Sequence, residues 1–221
     1  MIGDLPPETL DSYRRDGFVR LRALLDADTL GRYGEEITRL TLALNTQTRP
    51  LAERTTYDRA FLQVMNLWRE SETVREFVFD RRLAAIAARL MGVDRVRIYH
   101  DQSLYKEPSG GITPAHADQY YWPFASDKAI TAWIPLQPVP LEMGPLAFYR
   151  GSHATDFGRD LPISDESERQ IGAAMTIIYI DAAMRISTPV NPMQRDDLSR
   201  WLPGLAPGDI AASALNPVVG P

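Results

Sequence analysis

The spacing of apolar residues changes at Gly92, and this change limits the folds open to the chain. Before Gly92, apolar side chains recur at helical spacing, as in the stripe Leu83, Ile86, Ala87 and Leu90. After it they alternate, and we expect Val96, Ile98 and His100 on one face of a half-buried strand, opposite Arg97 and Tyr99. Helices followed by strands favour an α+β domain whose second part is an antiparallel sandwich or jelly roll.

The first 92 residues are predicted to form a helical layer. Gly17 is placed to end a first helix that opens at Pro7, and Asp26 or Asp28 to cap a second. Asp80 is placed to cap a later helix that ends at Gly92. The pattern also predicts a strand at 18–23, a loop at 46–56, and helices at 60–68 and 72–79.

The remaining residues are predicted to be β-rich, with an irregular end. Turn residues separate short strands at 96–100, 102–107, around His116, and at 129–136, 145–149 and 173–180. The run at 173–180 is continuously apolar, which predicts burial on both faces. The prolines at 189, 192, 203, 207 and 217 predict an irregular tail. We expect one domain over 1–221, with helices at 1–92, a β-sandwich at 93–185 and a tail at 186–221.

Composition excludes several classes of protein. The chain has no cysteine, which excludes disulfides, iron–sulfur clusters and thiolate zinc sites, so a metal would be held by histidine and carboxylate. The net charge is -5 and the sequence has no basic run, so it gives no sign of a positively charged surface for nucleic acid or anionic lipid. No apolar run approaches the roughly 18 residues of a membrane span, so a cytoplasmic protein is expected. The oligomeric state stays open.

The stretch His116-Ala117-Asp118 carries the clearest chemistry. Side chains two residues apart on an extended strand point to the same side, so the imidazole and the carboxylate can bind one ion. They make two thirds of a 2-His-1-carboxylate facial triad, which leaves open positions on non-haem Fe(II). The spacing is common, however, and a surface strand with two solvated polar residues is the alternative.

Further motifs in order and at matching spacing make the chain resemble the phytanoyl-CoA dioxygenase family. The matching runs are YRRDGFV at 13–19, LYKEP at 104–108, TPAHADQYYWPF at 113–124, TAWIPL at 131–136, MGPL at 143–146 and GSH at 151–153. The resemblance implies a double-stranded β-helix, a cupin-like jelly roll, with N-terminal helices packed on the sheet. It also implies an oxygenase that uses Fe(II), 2-oxoglutarate and dioxygen.

Carried over by position, the resemblance assigns iron binding to His116 and Asp118. Lys106 and Trp133 match positions that line the 2-oxoglutarate pocket, and the further candidates are Tyr105, Thr131 and Gln63. Each has a simpler interpretation beside it. Lys106 can be an ordinary exposed lysine, and Trp133, which shares a strand face with Thr131, can be core packing.

Substrate contacts are assigned more loosely. The candidates are His100, Gln102, Tyr120 and Trp122. His100 can instead be a satisfied core histidine, and the aromatic cluster that follows Asp118 can be core rather than a pocket wall. His153, in the Gly-Ser-His turn, is expected to have a structural role.

One part of the family pattern is missing. The family's third iron ligand is a histidine on a late strand, followed by an arginine that binds 2-oxoglutarate, yet no histidine follows His153. Either a segment near residue 172 is absent, which predicts a break in the backbone between residues 169 and 174, or the chain is a catalytically impaired homologue. We favour the absent segment.

The sequence therefore predicts a dioxygenase that hydroxylates a small organic molecule. Asp118 favours hydroxylation over halogenation, for which such enzymes replace the carboxylate, while desaturation and cyclisation stay open. The alternatives are a small-molecule-binding homologue without the third iron ligand and a cupin-like metal lyase or isomerase.

Overall fold

A computed structural model describes residues 5–108, 110, 113, 116–143, 145–154 and 174–219. The side chains of residues 56, 57, 142 and 174–176 are outside the description. The predicted break near residue 172 lies outside the described residues. Within the described ranges, no helix is both long and apolar enough to cross a membrane.

The helical layer forms largely where its capping residues predict it. Helix α1 (Pro7–Asp16) ends at Gly17, which has the left-handed φ of 85°. Helix α2 (Ala27–Leu44) begins at Asp26, whose carboxylate accepts a hydrogen bond from the Thr29 amide at 2.7 Å. The other helices of the layer are α3 (Thr56–Ala60), α4 (Glu72–Val78) and α5 (Arg81–Met91), and α5 ends at Gly92 as predicted.

Two local predictions for this half are wrong. Residues 18–23 form no strand, and the helix predicted at 60–68 is replaced by strand β1 (Leu62–Met65) and a short 3-10 turn at Leu67–Arg69. β1 pairs with a distant strand, Gln63 lying opposite Leu104. The reason for the second error is that a free sheet edge outweighs the local helical pattern of this short apolar run.

All strand pairs in the described part of the chain are antiparallel. The sheet consists of β1, β2 (Val96–Tyr105), β3 (Ala129–Pro135), β4 (Ala174–Asp181) and β5 (Val218–Val219). The strand order is β1-β2-β4-β3. β5 pairs with β2 on the same side as β1, and the sheet is open rather than closed. β2 is continuous where two strands were expected, and residues 145–149 form no strand.

Strand β4 is buried on both faces, as its continuous apolar run predicts. The side chains of residues 177–180 are at most 1% exposed. Ile177 and Tyr179 pack with the helices, whereas Ile178 and Ile180 pack on the opposite face, with Trp122 and other residues from the loops and the tail. We call this opposite face the site face. Full burial of one such aliphatic side chain stabilises the fold by about 1.5–3 kcal/mol.

A β-bulge in β2 changes which face His100 occupies. The register with β4 shifts between Ile98 and His100, so Tyr99 is an extra residue. Val96 and Ile98 pack with the helices, but Tyr99 packs on the site face and His100 lies beside it, paired in register with Ile178. The expectation that His100 shares a face with Val96 and Ile98 is therefore wrong, because strict alternation fails at a bulge.

The tail is less irregular than expected. Helix α6 (Pro192–Trp201) begins at Asn191, whose side-chain oxygen accepts a hydrogen bond from the Gln194 amide at 2.9 Å. Pro192 occupies the first helical position, where its missing N–H costs nothing. The proline density that predicted an irregular tail thus includes the start of a helix. α6 packs on the site face through Trp201, whose ring centroid is 5.3 Å from that of His100.

The Gly-Ser-His turn is held against the end of α1. The Gly151 amide donates to the Asp16 carbonyl at 2.9 Å, and the His153 Nε2–H donates to the Arg14 carbonyl at 3.1 Å. Phe18 stacks on Phe148 with ring centroids 4.7 Å apart. These contacts give His153 the structural role that was expected for it.

This contact makes a prediction for Gly17. A Cβ at this position would lie 2.4 Å from His153 Nδ1, and the backbone φ is positive, so Gly17→Ala meets both a steric clash and backbone strain. We expect its free energy of unfolding, measured in urea, to fall by about 2 kcal/mol.

Two further variants separate the causes. Gly17→Ala combined with His153→Ala should recover the steric part of the loss but not the backbone part. Gly31→Ala, within α2 where a Cβ would meet nothing within 4 Å, should leave stability unchanged or raise it. Equal stability of Gly17→Ala and wild type would contradict the contact.

Candidate metal centre

His116 and Asp118 converge on one point. His116 Nε2 lies 3.3 Å from Asp118 Oδ1. The described part of the stretch is not the predicted strand: Ala117 is extended (φ -108°, ψ 123°), and a 3-10 turn follows over Asp118–Tyr120. One extended residue between the pair is enough to place both side chains on the same side, so the predicted convergence is present without the predicted strand.

Asp118 is held in its ionised form. Burial is the largest single influence on the pKa of Asp118 and opposes ionisation, whereas the hydrogen bond and charge of His116 favour it. Thr131 Oγ1 also donates to Asp118 Oδ2 at 3.3 Å. Together they hold the pKa of Asp118 below its usual range. The His116 and Asp118 side chains are 25% and 42% exposed, so an ion can reach them from solvent.

The sheet brings four further candidate residues to the site face. Thr131 and His100 both pair in register with Ile178 of β4. Trp133 and Gln102 both pair with residue 176, two positions earlier on the same strand. Side chains opposite one another in an antiparallel ladder point to the same face. His100, Gln102, Thr131 and Trp133 therefore form two adjacent rows beside the metal pair, and the shared face predicted for Thr131 and Trp133 is confirmed.

Trp133 and Lys106 have the chemistry of an anion site. Trp133 Nε1 is buried and has no hydrogen-bond partner in the part of the chain that the structure describes. An unsatisfied buried N–H costs about 1–3 kcal/mol, which a ligand that accepts its hydrogen bond would recover. Lys106 follows β2, and burial lowers the pKa of its ammonium group. Burial removes water from the charged ammonium group, and a bound carboxylate would compensate for this loss.

The two remaining cofactor candidates lie differently. Gln63 Nε2 donates to Gln102 Oε1 at 2.6 Å and so holds Gln102 on the site face. Tyr105 packs with the helices and shares a hydrogen bond with Thr38 of α2. The alternation of β2 explains this difference, since Tyr105 lies an odd number of residues from Gln102. The structure therefore places Tyr105 away from the metal pair.

His100 is a buried, neutral imidazole. Its side chain is 4% exposed, and its Nδ1 has no hydrogen-bond partner among the described residues. Burial lowers its pKa to about 4; the charge of Asp118 opposes this shift and that of Arg200 adds to it. A neutral ring with one unused nitrogen can donate or accept a hydrogen bond to a ligand.

The aromatic residues after Asp118 divide into two groups. Trp122 and Phe124 pack with Tyr99 in the core of the site face. Tyr120 is half-buried on the metal-bearing turn, with its ring 5.0 Å from that of Tyr121. Of the two aromatic substrate candidates, Trp122 is thus a core residue and Tyr120 lies nearer to solvent.

The described residues include both predicted metal ligands, His116 and Asp118. No group of three histidine, aspartate or glutamate side chains in the described ranges is arranged to hold an ion. The chain has three histidines, and His153 is engaged at the end of α1. The histidine expected as third iron ligand is therefore not found. The segment at 155–173, where the sequence deviates from the family pattern, lies outside the described residues.

Helix α6 is the part of the site that sequence reasoning missed. Asn191 Nδ2 and Gln194 Nε2 both donate to the Tyr120 carbonyl, and Tyr99 Oη donates to Asp197 Oδ2 at 3.0 Å. Burial raises the pKa of Asp197 to about 6. An Asn-Pro pair is a recognised start of a helix and could have predicted α6. No sequence signal shows where that helix docks.

The helix-backed antiparallel sheet and its H-x-D pair define the cupin-like class of double-stranded β-helix proteins. The profile of the phytanoyl-CoA dioxygenase (PhyH) family matches residues 13–210, and the chain belongs to this family. Comparison with curated proteins finds no match.

Solved structures share the fold over most of the chain. The 2-oxoglutarate-dependent carbocyclase SnoK of nogalamycin biosynthesis is 21% identical, with 98% of this chain and 97% of that chain covered and a TM-score of 0.75. The epimerase SnoN, in complex with Fe3+, 2-oxoglutarate and nogalamycin RO, is 24% identical, with 96% and 97% covered and a TM-score of 0.76. EctD from S. alaskensis, with 2-oxoglutarate and 5-hydroxyectoine, is 18% identical, with 84% and 79% covered and a TM-score of 0.66.

The neutral state of His100 predicts a pH dependence of stability. Its folded pKa of about 4 lies below the value of about 6.5 expected in the unfolded chain, so the unfolded chain binds the proton first. The contribution of His100 to stability is therefore lost as pH falls from about 6.5 to about 4. His100→Gln removes this titration.

Urea unfolding of wild type and His100→Gln across this range measures the effect. We expect the stability of wild type relative to His100→Gln to fall by about 2–3 kcal/mol between pH 7.5 and pH 4.5. A difference that stays constant with pH would show that His100 is not held neutral.

Proposed function

We propose that this protein is an Fe(II)- and 2-oxoglutarate-dependent oxygenase that oxidises a C–H bond of a small organic molecule. The observation that carries the proposal is the convergence of His116 Nε2 and Asp118 Oδ1 at 3.3 Å on a solvent-accessible turn. The N–H of Trp133, buried and without a partner among the described residues, and the half-buried Lys106 support a place for an anionic co-substrate.

The residues present fit Fe(II) through two of the three protein positions of a facial triad. An imidazole nitrogen with a carboxylate oxygen suits this ion, and the chain has no thiolate that would favour a softer one. When bound, iron and 2-oxoglutarate supply the activation of dioxygen, which is chemistry that protein side chains lack.

The chain itself supplies orientation and charge. His116 and Asp118 hold the ion, and Thr131 restrains the carboxylate by its hydrogen bond to Oδ2. Lys106 neutralises a carboxylate of 2-oxoglutarate, and the Trp133 N–H donates to it. His100 and Gln102 contact the substrate from the neighbouring rows of the site face, with Tyr120 at its outer edge.

The reaction type follows from the carboxylate and from the similar structures. Asp118 occupies the position that a halide would need, which favours hydroxylation over halogenation. SnoK is a carbocyclase and SnoN an epimerase, so a cupin-like site of this kind is also compatible with ring closure or epimerisation. The small molecules named with SnoN and EctD support a substrate of that size.

The two-ligand site also favours a second candidate, a binding homologue with impaired catalysis. A cupin-like metal lyase or isomerase, the third possibility, would retain iron without consuming 2-oxoglutarate. The three functions differ in iron retention and in succinate formation, so one experiment separates them.

Anaerobic titration of the full chain with Fe(II) and 2-oxoglutarate is that experiment. We expect a weak metal-to-ligand charge-transfer band, and succinate when air is admitted. His116→Ala and Asp118→Ala should abolish both, because each removes one of the two ligands that the described residues supply. Asp11→Asn, which removes an exposed carboxylate of α1, should change neither. Retained iron without succinate would indicate a lyase, and absence of both the band and succinate from wild type would exclude the oxygenase.

The indole of Trp133 gives a separate test of the co-substrate site. Trp133→Phe keeps most of the ring but removes the N–H, and we expect the dissociation constant for 2-oxoglutarate to rise about tenfold, the effect of losing one hydrogen bond to a charged group. Trp68→Phe is the matched control, since Trp68 Nε1 is also buried and unpartnered among the described residues but lies with the helices. Equal affinities of the two variants would contradict this role of Trp133.

A further inference from the structure

Helix α6 is joined to the metal-bearing turn through one carbonyl group. Asn191 Nδ2 donates to the Tyr120 carbonyl at 3.1 Å, and Gln194 Nε2 donates to the same oxygen at 3.3 Å. Two side-chain amides on one backbone oxygen use both of its lone pairs. The contact links two segments that lie about seventy residues apart in the chain.

The orientation of both amides is determined by their other ends. Asn191 Oδ1 accepts a hydrogen bond from the backbone N–H of Gln194 at 2.9 Å. Gln194 Oε1 accepts one from the backbone N–H of Val190 at 2.9 Å. Because each oxygen already binds an N–H, each NH2 group has to face the Tyr120 carbonyl. Gln194 is 8% exposed, so water does not readily replace these bonds.

The anchored carbonyl belongs to the turn that sets the metal pair. The Tyr120 amide donates to the Ala117 carbonyl at 3.1 Å, and the Tyr121 amide donates to the Asp118 carbonyl at 2.9 Å. A shift of Tyr120 would therefore move Ala117 and Asp118, and with them the spacing between His116 and Asp118. Thr131 restrains the same carboxylate from the sheet.

Apolar packing also joins the turn segment to α6, because Tyr121 and Trp122 belong to the same cluster as Leu198 and Trp201. This packing leaves a cavity of about 170 Å³ lined by Gln119, Trp122 and Gln194. Beside this cavity the two amide hydrogen bonds are the contacts that join α6 to the Tyr120 carbonyl.

We propose that Asn191 and Gln194 are positioning residues for the metal pair, and that they act through the Tyr120 carbonyl. This inference rests on the proposed function in that His116 and Asp118 bind the ion. It makes α6 a part of the metal centre that acts through a backbone carbonyl of the turn.

The variants Asn191→Asp and Gln194→Glu test the proposal on the full chain. Aspartate is as good a cap for α6 as asparagine, and glutamate still accepts from the Val190 amide, but neither ionised side chain can donate to Tyr120. Arg195→Gln is the control, because it makes the same change of one charge on the exposed side of α6.

Two measurements are made on each variant. Anaerobic calorimetry with Fe(II) alone gives the metal dissociation constant, which we expect to rise about tenfold or more in both variants and to stay unchanged in the control. Amide hydrogen exchange of the metal-free proteins should become faster at 117–121 in both variants while exchange within α6 stays as in wild type.

Each outcome decides the question. Wild-type Fe(II) affinity and wild-type exchange at 117–121 in both variants would overturn the inference and leave the proposed function standing. Faster exchange throughout α6 would show loss of the helix instead of loss of positioning, and would also overturn it. If wild type itself binds no Fe(II), the proposed function fails, and the exchange data alone decide whether the two amides hold the turn.

Discussion

Strand β4 is the element on which the arrangement of the site depends. β2 and β3 do not pair with each other, and each is held in place by its ladder with β4. Four consecutive side chains of β4 are fully buried, two against the helices and two on the site face. The apolar area that they remove from water stabilises the ladder that places His100 opposite Thr131 across Ile178. A polar residue in this run would be costly to bury and would weaken the strand that aligns β2 with β3.

The metal pair itself lies outside the sheet, and its geometry comes from two directions. Thr131 contacts the Asp118 carboxylate from β3, and the side-chain amides of Asn191 and Gln194 contact the Tyr120 carbonyl from α6 and its cap. An exposed turn with a few hydrogen bonds of its own would otherwise sample many positions, at a cost to the affinity for an ion. The proposed positioning role would give α6 a function that its place in the chain does not suggest.

Local chemistry made much of the fold predictable. Gly17, Asp26 and Gly92 end or begin helices where their conformational and hydrogen-bonding preferences require it, and the apolar run of β4 is buried on both faces. The errors have equally physical causes. The error at β1 arises because a stretch of four residues has no decisive period, whereas its pairing with β2 makes it a strand. α6 was missed because prolines both start and interrupt helices.

The amino-acid sequence by itself determined the H-x-D pair, the change from helical to alternating periodicity, and a motif order that matches one family. Each of these depends on residues close together in the chain, whose geometry follows from backbone chemistry. Only the tertiary structure decided that a bulge turns His100 to the site face, that Tyr105 packs with the helices, that the Trp133 N–H has no partner among the described residues, and that α6 docks on Tyr120. These features depend on strand register and on burial between distant segments, and no short stretch of sequence encodes either of them.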